Sequence, residues 1–66
     1  MGVKWVYIVW VDGKIHACWR SAVDAARSVT VSPKQALPLG RKLIALKDGE
    51  SIAIDNRVNV ERRLML

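Results

Sequence analysis

The chain opens on a block in which nearly every position is apolar. Val3 to Val11 is rich in Val, Ile, Trp and Tyr with no Gly or Pro, which is a strand composition. Asp12-Gly13 follows, a dipeptide suited to a two-residue hairpin turn with positive φ at both positions. Lys14 to Trp19 then returns as a second strand. The turn sets a register in which Val11 faces Lys14, Trp10 faces Ile15, Val9 faces His16 and Ile8 faces Ala17. Continuing, Tyr7 faces Cys18, Val6 faces Trp19 and Trp5 faces Arg20. Opposed residues share a face. The expected core face is therefore Val6, Ile8, Trp10, Ile15, Ala17 and Trp19. The other face mixes rings and cations: Trp5, Tyr7, Val9, Val11, Lys14, His16, Cys18 and Arg20.

Past Trp19 the period changes. Ser21 is a good N-cap, with Asp24 three residues on, and Ala22, Val23, Ala25, Ala26 and Val29 form a short small-residue stripe. The helix is expected to end near Ser28, where Val29, Thr30 and Val31 lower the propensity. Its small residues would let it lie close to Trp10 and Trp19. Ser32-Pro33 opens a second helical unit, with Gln35 completing the cap. Pro38 and Gly40 interrupt it. Leu39, Leu43 and Leu46 resume helical spacing, predicting a helix over Leu39 to Lys47 with Gly49 as its C-cap. A rival reading pairs 43–47 with 50–54 as a hairpin across Asp48-Gly49. Ser51 to Ile54 then alternates with Ile52 and Ile54 inward. A turn at Asp55-Asn56-Arg57 returns the chain so that Val58 and Val60 pair with Ile54 and Ile52. This last strand extends toward Leu64, with Arg62 and Arg63 on opposite faces. The order ββ-α-α-ββ predicts a small α+β domain with an antiparallel sheet and an N-terminal hairpin packed on short helices.

Length limits this picture to a single domain over residues 1–66. A chain this short buries only about 60% of its unfolded surface and is marginal alone. Cys18 is the sole cysteine, so no internal disulfide forms. One His and no CxxC or HxxxH spacing give no expectation of a metal or other cofactor. An apolar content of 52% in so small a chain makes a homodimer one reading. Eleven Lys and Arg against six Asp and Glu give a net charge of +5, which favours a protein or nucleic acid with an acidic surface as partner. The apolar run ending at Asp12-Gly13 is too short to span a bilayer and has no cleavage pattern after it, so no membrane role is expected. A lone cysteine fits the cytoplasm.

Catalytic chemistry finds little support. Asp12, Asp24, Asp48, Glu50 and Asp55 sit where turns and helix starts call for them, and Glu61 lies beside Arg62 and Arg63 as an ion-pair partner. No nucleophile elbow, zinc-protease or phosphate-loop pattern occurs. His16 and Cys18 share a strand face, but no acid is expected beside them to orient the imidazole. The chain therefore reads as non-enzymatic. The strongest binding signal is the mixed hairpin face. Trp5 and Tyr7 could stack on bases or anchor a protein contact, with Lys14, His16 and Arg20 beside them. Arg41, Lys42, Arg62 and Arg63 are candidate phosphate contacts.

The opening "KWVYIVWVDGKIHACWRSAVDAA" resembles a pattern found in small phage and mobile-element accessory proteins, in which an aromatic strand, a DG turn, a return strand and S-x-x-[DE]-A lead into a helix. The resemblance covers residues 4–26. It implies a regulator or inhibitor of a host or defence enzyme and assigns no functional residue. Three expectations follow: a small basic binding protein of the phage type that inhibits or adapts a macromolecular partner, a nucleic-acid-binding module using the aromatic and basic sheet face, or a structural homodimer.

Overall fold

The computed structural model describes residues 4–30 and 32–65. Val3, expected to open the first strand, and Val31, expected to weaken the first helix, lie outside the described residues. The elements run β1 (Lys4–Val11), β2 (Lys14–Trp19), α1 (Ala22–Val29), α2 (Pro33–Ile44), β3 (Ser51–Ala53) and β4 (Val58–Met65). The strands form one antiparallel sheet in the order β2-β1-β4-β3. The α+β class and the ββ-α-α-ββ order are those that the pattern predicts. Both helices lie on one side of the sheet, and the core between the layers is Tyr7, Val9, Ala22, Ala25, Ala26, Ala36, Leu43 and Val60.

The first turn forms as its residues require, with φ of 52° at Asp12 and 78° at Gly13. Val11 pairs with Lys14 and Trp10 with Ile15, as expected. Beyond them a β-bulge intervenes, so Val9 pairs with Ala17, Ile8 with Cys18 and Tyr7 with Trp19. The slip keeps Ala17 and Trp19 on the core side, while the buried side of β1 itself is the opposite of the one expected. Trp5, Tyr7, Val9 and Val11 pack toward the helices together with Ala17 and Trp19, while Val6, Ile8, Trp10 and Ile15 lie on the opposite face. The cause is β4. It pairs Val60 with Val9 and Val58 with Val11, and it pairs polar Asn59, Glu61 and Arg63 with Trp10, Ile8 and Val6. Burying Val58 and Val60 commits Val9 and Val11 to the same side. The bulge lets β2 still deliver Ala17 and Trp19 to the core.

α1 is capped by Ser21, and the hydroxyls of Ser28 and Thr30 donate back to Ala25 O and Ala26 O at 2.7 and 2.8 Å. α2 is one continuous helix from Pro33 to Ile44, which corrects the interruption expected at Pro38 and Gly40. Pro38 lies on the exposed side, where water can take the carbonyl that its missing N–H leaves free. Gly40 lies buried against Val23 of α1, at a distance that a Cβ would fill as an ordinary contact. The helix ends at Ile44, before the expected Lys47, and Ala45 caps it in place of Gly49. Gly49, at φ +84°, serves a loop in which its N–H bonds Arg62 O and Glu50 O accepts from Arg62 N. The rival hairpin over 43–47 is thereby excluded, since Leu43 and Ile44 are helical. Ile52 pairs with Val60, and Ile54 N donates to Val58 O, as the alternation predicts.

Candidate nucleic-acid interface

The expected hairpin contact face does not assemble. Tyr7 is only 4% exposed, and Trp5 is packed against the core. Lys14, His16 and Arg20 are exposed, but they are strung along the edge strand and just beyond it, without the rings. From Lys14 to Arg20 an extended chain covers about 20 Å.

Arg62 is also not free to meet phosphate. It lies on the helix side of β4, between Val60 and Leu64. Its guanidinium carbon sits 3.8 Å from the centre of the Trp5 ring, and its Nη1 donates to Ile44 O at 2.6 Å and Leu46 O at 2.7 Å. Those carbonyls are the loose end of α2, so Arg62 fastens that helix to the sheet. Arg63 faces the other way and donates Nε to Glu61 Oε2 at 2.6 Å, which raises its pKa further above the ordinary arginine value. Arg57 forks onto Asp12, and the hydrogen bond holds the Asp12 carboxyl below its usual range.

The remaining cations gather elsewhere. Residues 47–66 carry equal numbers of acids and bases, and their acids are engaged. Asp48 accepts from Leu64 N, Glu50 from Lys47 N, and Asp55 from Arg57 N and Val58 N; Glu61 accepts from Trp10 Nε1 and Arg63 Nε. The charge excess lies on the hairpin and the helices. Residues 21–46 hold Arg27, Lys34, Arg41 and Lys42 against Asp24 alone, and all four cations are exposed.

α1 and α2 are joined by three residues, 30–32, a connection of the length used in helix-turn-helix units. α2 buries Ala36, Gly40 and Leu43 and turns Lys34, Gln35, Leu37, Pro38, Arg41 and Lys42 outward. Its first turn, opened by Ser32 and Pro33, contains no acid and does contain Lys34. A helix N-terminus ordinarily favours acids there, because its free N–H groups and dipole are positive. Arg27 from α1 borders the same shallow recess as Ser32 and Pro33, so a second cation stands at this end. Lys34 and Lys42 are eight residues apart, about 12 Å along the axis.

Arg41 and Lys42, expected from the sequence as phosphate contacts, therefore stand on one exposed helix with Lys34 and Gln35. Arg27, Lys34 and Gln35 were not among the sequence candidates. The available signal was Lys34, a cation in the first turn after a Ser-Pro helix start. Among the described residues no three His, Cys, Asp or Glu side chains converge as a metal site would need, and no helix is long and apolar enough to cross a membrane. No family model, curated protein or solved structure matches this chain.

Proposed function

We propose that the protein binds duplex DNA, with α2 entering the major groove. The observation that carries this reading is the helix pair with a three-residue connection, whose second helix displays Lys34, Gln35, Arg41 and Lys42 and keeps acids out of its first turn. In such units the start of the second helix meets base edges while the first helix crosses the backbone. Lys34 and Gln35 occupy the base-reading positions. Lysine donates to guanine O6 and N7, and a glutamine amide can bond adenine N6 and N7 together. Arg27, Arg41 and Lys42 meet phosphates. A B-form major groove is about 12 Å wide and admits a helix, whereas the deep, narrow major groove of A-form RNA does not. Burial of Tyr7 and the stacking of Arg62 on Trp5 count against a single-strand reading, which needs free rings. The same burial removes the aromatic anchors of an inhibitor-type protein contact on that face.

Fluorescence anisotropy with random-sequence duplex, single-stranded DNA and duplex RNA at low salt is the test. Duplex DNA is expected to bind best. Replacing Lys34, Arg41 and Lys42 together by Ala should abolish binding while leaving circular dichroism unchanged. Three phosphate contacts give a salt slope near −2.7, so binding should weaken about 40-fold between 50 and 200 mM salt. No binding to any duplex at low salt would refute the proposal.

A further inference from the structure

The face of the sheet opposite the helices is bare. The molecule measures 35 × 26 × 16 Å, one helix layer on one sheet. Along β1 this face carries Val6, Ile8 and Trp10, and beside them on β4 it carries the polar Asn59, Glu61 and Arg63. Next to them on β2 are Ile15, 57% exposed, and Cys18, while Met65, 54% exposed, pairs with Lys4 at the far end. Trp10 is half-buried with its Nε1 bonded to Glu61 Oε1 at 3.0 Å, so the indole's polar atom is already satisfied.

We infer that this face is the seam of a homodimer in which two copies stack sheet on sheet, with their strands running in opposite directions. Area is the first support. The 25 strand residues, each about 3.4 Å along its strand by about 4.8 Å between strands, give a flat footprint of about 400 Å². The full face of 35 × 26 Å sets an upper bound of about 900 Å². A stable interface takes about 800 Å² per partner, which lies within this range.

Charge is the second support, and it fixes both the occupant and the orientation. One end of the sheet holds Lys4 opening β1, Arg20 just after β2 and Arg63 near the end of β4; Arg63 is already paired with Glu61 and lies near Asp48, which leaves Lys4 and Arg20 to carry the charge of this end. The other end holds Trp10 and the two turns that carry Asp12 and Asp55, joined by the Asp12–Arg57 pair. Opposed stacking sets the cations of each copy over the ring and acid-bearing turns of the other, and by symmetry does so twice. Parallel stacking would set Lys4 and Arg20 over the same two cations of the other copy. The middle of the seam is Ile8 against Ile8, with Val6, Ile15 and Cys18 around it.

Sedimentation velocity across micromolar to high-micromolar concentrations tests the seam. A reversible monomer–dimer equilibrium is expected. Ile15→Lys, at a position exposed enough to leave the fold intact, should weaken dimerisation by about tenfold or more. Ile8→Asp should abolish it, with circular dichroism as the check on folding. Should Ile8→Asp fail to fold, Ile15→Lys and Met65→Lys still decide. A wild-type chain that stays monomeric at high-micromolar concentration overturns the inference, as does a dimer that Ile15→Lys and Met65→Lys leave unchanged. Binding to DNA is not a readout here, so this outcome and that of the DNA proposal are separate.

Discussion

Replacing Arg62 by Ala separates its structural role from the phosphate contact that its position in an Arg-Arg pair suggests. The side chain makes two bonds to backbone carbonyls at the end of α2, one exposed and one partly buried, and covers the Trp5 ring. A hydrogen bond from a charged donor contributes about 1.5–3 kcal/mol when shielded and less near solvent. Allowing about 1–2 kcal/mol for the two bonds together and about 0.5–1 kcal/mol for the stack gives a loss of about 1.5–3 kcal/mol. A domain of 66 residues has a total stability of about 3–10 kcal/mol, so this loss is a large share. With an unfolding entropy of about 2.1 cal/mol/K per residue, the midpoint should fall by about 10–20 °C. Urea denaturation followed by tryptophan fluorescence measures the free energy, and calorimetry the midpoint. Arg62→Lys keeps the charge but loses the planar group that stacks and forks, so it should recover less than half of the loss. Unchanged stability in Arg62→Ala, together with weakened DNA binding, would refute the reasoning and return Arg62 to the phosphate contacts.

Two further outcomes follow from local geometry. A Cβ on Gly40 would lie 3.7 Å from Val23 Cα, an ordinary contact, so Gly40→Ala should raise stability by about 0.5–1 kcal/mol through helix propensity; a loss in urea denaturation would mean that the helices cannot bear the added methyl. The folded Asp12 carboxyl titrates below its unfolded value near 3.8, so its contribution is full above that value and is lost as pH falls through the folded pKa. Asp12→Asn should therefore flatten the acid limb of a plot of thermal midpoint against pH, by a small amount that salt reduces further because both partners are exposed; an acid limb identical to wild type at low salt would show that the pair contributes nothing.

Local signals carried most of the architecture. The Asp12-Gly13 turn, the Ser21 and Ser32 caps, and the pairing of Ile52 with Val60 are each encoded within a few residues. What failed was the face of β1, because Trp5 to Val11 is apolar on both sides and gives no alternation to read. Its orientation is decided by Asn59, Glu61 and Arg63, about fifty residues away in sequence, through a pairing that no local rule supplies. The bulge in β2 is the adjustment between that long-range choice and the local turn. Arg62 was misplaced for a related reason. The alternation puts it on the inner side of β4, but only the position of the α2 terminus shows that two carbonyls wait there for a donor. The cations on α2 were half legible. Arg41 and Lys42 stand out as a pair, whereas Lys34 and Gln35 gain meaning once Pro38 and Gly40 are seen to lie inside a single continuous helix.

The two proposals constrain one another. The helices lie on one side of the sheet and the seam on the other, so a sheet-stacked dimer would present its two α2 helices on opposite outer faces. The familiar arrangement, in which a two-fold axis sets two recognition helices into successive major grooves of one duplex about 34 Å apart, needs both helices to face the same way. This dimer would not meet that condition. Each protomer would take its own duplex, and the dimer would join two duplex segments. Affinity for a single short duplex would then owe nothing to dimerisation, and sequence discrimination would rest on Lys34 and Gln35 of one helix. Any gain from the second protomer would come only on long DNA, where one bound segment raises the effective concentration of another.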